Sequence, residues 1–266
     1  MIKVIALISI LGLVVLSPVY AGSLPAPNWE IGPYVSHITY KEPGVMEEKG
    51  WMYGLMGAFD YHNSFMIRLE ACMSYGEVDY DGAYDDGTPL KINGIPDYMW
   101  EGRVLGGWDF ALGEKGRVTP YLGYGYRYLN DDAHEENSAG YERESNYYYS
   151  PLGLMANLDL DDGWTVGMVV EYDLFYRGLQ KSYLSDVSSL YNDIENKQRH
   201  GYGLRGSFKV SKQWRKVAFQ LEPFIRYWKI QESDSDDMTI WGIPVGKAYE
   251  PKNNSTEIGA VLKVRF

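Results

Sequence analysis

Apolar and polar residues alternate one by one over several stretches of the chain. Between positions 164 and 177 one parity is apolar and aromatic, and it comprises Trp164, Val166, Met168, Val170, Tyr172, Leu174 and Tyr176. The other parity is mostly small or charged, and it includes Thr165, Gly167, Glu171, Asp173 and Arg177. Successive side chains of a β-strand point to opposite faces, so this period of two predicts strands with one apolar and one polar face.

Ten segments show this alternation. They lie at about 28–40, 50–61, 65–76, 97–112, 117–129, 146–160, 163–177, 198–211, 216–230 and 254–266. Short turns at 62–64, 113–116, 161–162 and 212–215 alternate with long loops at about 41–49, 77–96, 130–145, 178–197 and 231–253. An even number of strands joined in this way predicts an all-β fold, a ten-stranded antiparallel transmembrane up-and-down β-barrel with both termini on the side of the short turns.

The N-terminus has the features of a secretory signal peptide. Lys3 precedes an apolar stretch at 4–16, and Ser17 and Pro18 then interrupt it before Ala21. The stretch is shorter than the roughly 20 residues of a spanning helix, so we expect a cleavable signal peptide at 1–21 and a single barrel domain at 22–266. An uncleaved membrane anchor is the alternative.

Charge is distributed unevenly along the chain. The formal net charge is −11, and the long loops, with the second counted as 77–97, together hold 23 acidic and 8 basic residues. A chain without clustered Lys and Arg has no surface that tracks phosphates, so nucleic-acid binding is not expected. A soluble secreted sandwich, the alternative fold, gives no reason for acidic residues to collect on one side.

Aromatic residues make up 15% of the chain and concentrate near strand ends. One group falls near the short turns and comprises Trp29, Phe59, Trp108, Phe110, Trp164 and Phe219. A second group falls near the long loops and comprises Tyr75, Tyr98, Trp100, Tyr126, Tyr128, Tyr147, Tyr148, Tyr172, Tyr176, Tyr202 and Tyr227. We predict two aromatic girdles at the two membrane interfaces.

The C-terminal segment at 258–266 carries a recognisable pattern, in which Leu262, Val264 and the terminal Phe266 alternate with polar or small residues. It resembles the C-terminal signal of Gram-negative outer-membrane β-barrel proteins. The stretches TPYLGYGYRYLNDD at 119–132 and GYERESNYYY at 140–149 resemble a small, mostly uncharacterised group of such barrels, of omptin size. The resemblance implies an outer-membrane location, extracellular loops, periplasmic termini and recognition by the barrel-assembly machinery, but no activity.

The inward parity of the predicted strands carries both signs of charge. We expect a lumenal charge network of Arg68, Glu70, Glu101, Arg103, Arg127, Glu171, Asp173, Arg205, Glu222 and Arg226. A ten-stranded barrel is narrow, and an unpaired buried charge is costly, so opposite charges should pair across strands. Paired charges predict a plugged lumen. A narrow porin-like channel for small solutes or ions, lined by the same residues, is the alternative.

The acidic loops permit two interpretations. They form a solvated, self-repelling face, or they bind a cation, a cationic peptide, a basic host surface or lipopolysaccharide through divalent ions. We predict a monomer in outer-membrane lipid that acts in surface binding or envelope structure, with a cationic ligand at the loops.

Candidate catalytic residues are few. The omptins, ten-stranded proteases of the outer membrane, use paired acidic residues and an Asp–His pair. Here His62 falls in a short turn, His37 and His200 have the outward parity, and His134 falls in a loop. General-base chemistry needs a held His–carboxylate geometry, so we predict no catalytic, cofactor or metal site. A surface hydrolase of the omptin type is the second alternative function.

Overall fold

The computed structural model describes residues 27–84 and 87–266. The expected signal peptide at 1–21 and the pair Asp85 and Asp86 lie outside the described residues. Among the described residues, no helix is long and apolar enough to cross a membrane. The short helix α1 (Ala133–Glu136) lies in a loop, and almost all remaining regular structure is β-strand.

One antiparallel sheet closes on itself and forms the barrel. Its segments are β1 (Asn28–Glu42), β2 (Met46–Asn63), β3 (Phe65–Ala83), β4 (Pro89–Trp108), β5 (Phe110–Leu112), β6 (Gly116–Asp132), β7 (Glu142–Asp159), β8 (Trp164–Ser182), β9 (Ile194–Gln198), β10 (Gly201–Trp214), β11 (Val217–Ile230) and β14 (Asn253–Arg265). The short segment β5 continues β4, and β9 precedes β10 along the same edge of β8, so the twelve segments make ten barrel strands. The predicted ten-stranded barrel is confirmed.

The barrel is closed by the first and last strands. Ile31 pairs with Val264 and Lys41 with Asn254, and β14 pairs on its other side with β11. The Trp29 amide donates to the Phe266 carbonyl at 2.9 Å, and the Phe266 amide donates to the Trp29 carbonyl at 3.0 Å. Closure therefore leaves the barrel wall without a free edge, as a membrane interior requires.

The strands are longer than predicted, and they extend at the loop end. The predicted loop at 41–49 is a tight turn between β1 and β2, with Gly44 at φ +84°. The region at 77–96 is mostly paired strand, although a bulge interrupts the pairing between Val78 and Tyr80. Backbone pairing continues beyond the apolar belt, where Glu77 and Asp79 are exposed on the outward face while Val78, Ile92 and Ile95 are buried inside the barrel. The outward apolar alternation therefore stops before the strand does. The loop at 231–252 contains a separate hairpin of β12 (Ser235–Ile240) and β13 (Ile243–Tyr249).

The outward face of the barrel is apolar between two rings of aromatic residues. Exposed Trp29, Trp108 and Trp164 mark the short-turn end, and exposed Trp51, Tyr75 and Tyr98 mark the loop end. We treat the strand segments between these girdles as the membrane-spanning segments. The assignment of Tyr147 to the outer girdle was wrong: Tyr147 is buried inside the barrel, because its neighbour Tyr148 occupies the outward position and adjacent strand residues alternate.

A bulge between β7 and β8 inverts the predicted direction of Arg177. Tyr148 pairs with Arg177, but the next residue, Tyr149, pairs with Phe175, so the register shifts there. As a result Phe175 is buried in the lumen, while Arg177 is exposed with its guanidinium carbon 5.8 Å from the centroid of the Tyr148 ring. An extra residue in one strand reverses the parity beyond it, which simple alternation does not reveal.

Two inward glycines make room for tyrosine rings. A Cβ atom at Gly125 would overlap the Tyr149 ring, and one at Gly153 would overlap the Tyr121 ring, whose Cε1 would lie 2.8 Å away. Each glycine leaves room for the tyrosine ring of the neighbouring strand, and the tyrosine hydroxyls can then reach the carboxylates of Glu101 and Glu171.

Changing Gly153 to Ala should therefore lower the free energy of unfolding by about 1–3 kcal/mol, the usual effect of overpacking. The added methyl group displaces Tyr121 from Glu171, to which its hydroxyl donates at 2.7 Å. Urea unfolding in lipid vesicles measures the change. Gly102→Ala is the matched control, because the nearest atom to its new Cβ is a Trp100 ring carbon at 3.9 Å. Equal stability of the two variants would contradict the packing argument.

Candidate functional site

The lumen near the short turns holds a compact group of ion pairs. Arg68 is fully buried and contacts Glu30 at 3.0 Å, Glu70 at 2.5 Å and also Asp60. Lys263 bridges Glu30 at 3.4 Å and Glu222 at 2.7 Å. Arg68, Asp60 and Glu30 lie on the neighbouring strands β3, β2 and β1, and Lys263 and Glu222 lie on β14 and β11. The ion pairs therefore tie adjacent strands together across the seam between β1 and β14.

A second group of ion pairs crosses the middle of the lumen. Arg205 donates to Asp173 at 2.6 Å and to Glu101 at 2.7 Å, and Arg103 contacts Glu171. Two tyrosine hydroxyls add to the carboxylate contacts, since Tyr149 donates to Glu101 at 2.6 Å and Tyr121 to Glu171. Such pairing offsets the cost of burying these charges. Arg103 also contacts Glu70 at 3.3 Å and so links this group to the first.

The remaining charges of the predicted set occupy the same interior. Arg226 contacts Glu257 at 3.3 Å and lies 4.3 Å from the centroid of the Phe224 ring. Arg127 donates to the Met99 sulfur at 3.3 Å rather than contributing to the central pairs. The structure thus places all ten predicted lumenal residues inside the barrel, and it joins most of them directly.

A layer of mostly aromatic side chains lies next to the central ion pairs, and the sequence analysis did not predict it. Its buried side chains are Tyr147, Tyr149, Phe175, Trp228 and Ile230. The Tyr149 and Trp228 rings meet edge to face with centroids 5.0 Å apart, and the Arg205 guanidinium lies 5.6 Å from the Trp228 ring. The inward parity of β11 contains Trp228 and Ile230, so the same count that found Arg226 could have found them.

Little free space is left between these layers. A cavity of about 50 Å³ lies beside Arg103, Glu171 and Arg205, and another of about 50 Å³ lies beside Asp60 and Arg117 near the short turns. Each is of a size for ordered water rather than for a solute. The described part of the lumen is thus filled by paired charges and aromatic rings.

A further cluster lies at the loop end, outside the membrane-spanning segments. Arg143 contacts Glu48 at 2.9 Å, Asp131 at 3.2 Å and Glu42 at 3.3 Å. Tyr40 donates to Glu250 at 2.8 Å and links the last loop to this cluster. Burial raises the pKa of Glu48 well above its usual range, and burial together with the nearby Glu42 raises the pKa of Glu250 to about 7. The sequence placed Arg143 in a loop, so this cluster was not predicted.

The elevated pKa of Glu250 makes the attachment of the last loop dependent on pH. A carboxyl group whose pKa rises from 4.5 to about 7 on folding holds its proton in the folded state, so stability falls as pH rises between those values. We expect hydrogen exchange at 231–252, corrected for the intrinsic rate, to be at least about tenfold faster at pH 8 than at pH 5. Glu250→Gln should remove this difference, whereas Glu232→Gln, at an exposed position, should preserve it. A pH-independent wild-type loop would contradict the expectation.

The histidines are dispersed. His62 lies at the short-turn end, where its Nδ1 is 2.8 Å from Asp109 Oδ2, and Asp109 also accepts from the Thr119 hydroxyl at 2.6 Å. His134 Nδ1 lies 3.3 Å from the carbonyl oxygen of Gly140. His37 faces outward against Trp51. Sequence reasoning had placed His62 in a turn and missed its carboxylate partner. In the described ranges, no group of three His, Cys, Asp or Glu side chains is arranged to hold a metal ion.

The residues of the C-terminal pattern lie on the outward face of β14. Leu262 and Phe266 are exposed, while Lys263 between them points inward to Glu30 and Glu222. The alternation that resembled an assembly signal is therefore also the alternation of an ordinary barrel strand.

The chain is similar to known proteins in part of its sequence and in its fold. The autotransporter beta-domain model matches residues 35–179. No curated protein matches the chain in sequence. The outer membrane protease OmpT from Escherichia coli aligns with a TM-score of 0.61 at 9% identity, over 96% of this chain and 99% of that chain. At such low identity the likeness shows the fold alone.

Two autotransporter domains are more distant. The transport unit of AIDA-I from Escherichia coli has a TM-score of 0.40 at 10% identity, over 91% of this chain and 90% of that chain. The translocator domain of NalP from Neisseria meningitidis has a TM-score of 0.40 at 13% identity, over 88% of this chain and 87% of that chain. The family model, in contrast, matches more than half of the chain, so the protein belongs to the autotransporter beta-domain family and is a Gram-negative outer-membrane β-barrel.

Proposed function

We propose that this barrel is closed to solutes and acts through the hairpins at its loop end, as a surface-binding protein of the outer membrane. The observation that carries the proposal is the filled lumen. Two groups of ion pairs, around Arg68 and around Arg205, and an aromatic layer around Trp228 follow one another along the barrel axis. A solute would have to separate these paired charges in a medium of low dielectric constant, which is costly.

A barrel that neither conducts nor moves solutes must use its outer surfaces. The hairpins at the loop end are long, rigidly paired and rich in acidic residues, and the Arg143 cluster fixes the last loop to the barrel. These properties support binding of a cationic ligand at the loops. No catalytic step is part of the proposal, because the His62–Asp109 pair lies at the end of the barrel opposite to the hairpins.

The proposal includes an orientation, with the loops extracellular and both termini periplasmic, in contact with lipopolysaccharide. It also includes a monomer that the barrel-assembly machinery inserts through the segment of Leu262, Val264 and Phe266. Orientation is measured by labelling intact cells with a membrane-impermeant maleimide. Val45→Cys, at the loop end, should be labelled and Glu114→Cys, in a short turn, should not. The native Cys72 is buried and does not interfere.

Single-channel recording in a planar bilayer tests the closed lumen. The refolded barrel should produce no steady conductance at moderate voltage and salt, with insertion verified by protection of the strands from added protease. Steady openings of uniform size would overturn the proposal. They would also establish the alternative, a narrow channel lined by Arg68, Glu101, Arg127, Glu171 and Arg226.

A further inference from the structure

The hairpin of β12 and β13 ends in an exposed apolar tip, the segment 240–245. Trp241 is 76% exposed, Ile243 is 65% exposed and Val245 is 50% exposed. The tip lies in the last loop, beyond the loop-end girdle, where no lipid covers it in the proposed orientation. Large apolar side chains grouped in water are unfavourable unless something binds them, so this exposure indicates an interaction surface.

The base of the hairpin is held in place by the neighbouring loop. The Asn192 side chain donates to the Asp237 carbonyl at 3.0 Å and accepts from the Thr239 amide at 2.6 Å. The Trp241 amide donates to the Leu190 carbonyl at 3.0 Å. The Asn196 side chain donates to the Asp234 and Ala248 carbonyls. The tip is therefore presented in a fixed position, and a fixed binding surface loses less entropy when its partner binds.

The turn itself is built from an unfavourable residue. Trp241 has φ +53° and Gly242 has φ +75°, and they are the two central residues of a two-residue hairpin in which Ile240 pairs with Ile243. Positive φ at both positions is normally supplied by Asn, Asp or Gly, whereas a bulky residue there is strained. A strained, exposed tryptophan suggests that the ring serves binding rather than folding. Tryptophan is also a typical anchor of protein interfaces.

The charges around the tip select the chemistry of the partner. Asp236 and Asp237 lie on β12, where Asp237 is 3.8 Å from Lys247 on β13, and Asp234 directly precedes β12. Asp186 and Asp193 lie on the supporting loop between β8 and β9. This surface is acidic around an apolar centre. Anionic lipid headgroups and a second copy of the same acidic tip are repelled by it, whereas Lys and Arg are attracted.

We propose that the tip binds a polypeptide in which apolar side chains alternate with or adjoin Lys or Arg. Trp241 and Ile243 contact the apolar side chains of this partner, and the aspartates around the tip pair with its cationic groups. The inference rests on the proposed function, since it needs the hairpins to face the cell exterior, and it names the class of ligand that the acidic loops take.

The test uses the full barrel in phosphatidylcholine nanodiscs and three synthetic peptides of equal length. One alternates leucine with lysine, one leucine with glutamate and one serine with lysine. The Leu/Lys peptide should bind at least tenfold more tightly than the other two, and empty nanodiscs give the background. Failure of the Leu/Lys peptide to bind above that background would overturn the proposal.

Variants locate the binding site. Trp241→Asn removes the ring but retains a residue that favours positive φ, so the hairpin stays folded. It should weaken Leu/Lys binding at least tenfold. Val45→Asn removes another exposed apolar side chain at the loop end and should leave binding unchanged. Asp236→Asn combined with Asp237→Asn should weaken binding and reduce its dependence on salt. Wild-type affinity in Trp241→Asn would overturn the assignment.

Two further measurements address the other occupants of the tip. Flotation with phosphatidylcholine and phosphatidylglycerol vesicles, and sedimentation in detergent, should not distinguish Trp241→Asn from the wild type. Loss of vesicle binding or of a dimer in that variant would replace the polypeptide with a lipid or a second copy. The conductance measurement distinguishes this inference from the proposal of a closed lumen. A barrel that conducts but still needs Trp241 for peptide binding would refute only the closed lumen. Labelling of Glu114→Cys but not Val45→Cys on intact cells would refute the orientation.

Discussion

Replacing Arg205 with Met should lower the free energy of unfolding of the barrel by about 3–5 kcal/mol. Methionine fills a similar volume, but it leaves Asp173 and Glu101 buried without the guanidinium that now contacts both. Tyr149, whose hydroxyl also accepts from Arg205 at 2.9 Å, loses a partner as well. Equilibrium unfolding with urea in lipid vesicles, followed by tryptophan fluorescence, measures the change.

Two comparisons make this prediction specific. Lys115→Met breaks an exposed pair with Asp161 of 2.6 Å and should change the free energy of unfolding by less than about 0.5 kcal/mol. Combining Arg205→Met with Asp173→Asn and Glu101→Gln should recover part of the loss, because the carboxylates then lack charge. If Arg205→Met were as stable as Lys115→Met, the central ion pairs would not be holding the barrel together.

Arginine on the outward face should be nearly as damaging. Leu122 is 57% exposed and Met168 is 51% exposed, and both lie between the two aromatic girdles. Changing either to Arg places a charge in the hydrocarbon region and should cost about 2–4 kcal/mol in the free energy of unfolding. The measurement is the same urea titration, together with the fraction of barrel that inserts into vesicles.

Two controls separate the effect of the charge from the effect of the position. Met168→Leu should be neutral, and Lys209→Arg, which retains a buried cation in the lumen near Glu222, should cost less than either outward Arg. An inward arginine at Gly123, next to Leu122, is unsuitable as a control for the outward arginines. Even a Cβ atom at Gly123 would lie 2.7 Å from the Leu105 Cδ2 atom, so the variant would also test packing. Tolerance of both outward arginines would mean that this face does not contact lipid.

The sequence predicts the barrel well where the two faces of a strand meet different surroundings. Between Trp164 and Leu174 one side meets the outward apolar belt and the other meets the charged lumen, so alternation alone indicates the strand and its direction. At the loop end the outward residues are polar, as at Glu77 and Asp79, and the strands there continue without the outward apolar signal. The segment at 77–96, which is largely strand, was for this reason predicted as a loop.

The remaining errors have local or long-range causes. The bulge beside Tyr148 reverses the direction of Arg177, and alternation contains no sign of an added residue. In the Arg143 cluster, Arg143 contacts Glu42 and Glu48, which lie 101 and 95 positions earlier in the chain. Pairing between such distant residues cannot be predicted from their spacing. The residues of the charged lumen could be predicted, because they share the inward parity of their strands. The sequence did not indicate which of them pair with each other.

The pairing of β1 with β14 has a consequence for assembly. Glu30 and Lys263, which contact each other across this seam, are 233 positions apart, so closure brings together the two ends of nearly the whole chain. Fixing such a loop costs about 5 kcal/mol of chain entropy, and contacts of this separation form slowly. Until β14 arrives, β1 and β11 each have an open edge that can pair with other chains. Rapid delivery of the last strand thus limits the time during which the half-built wall can aggregate.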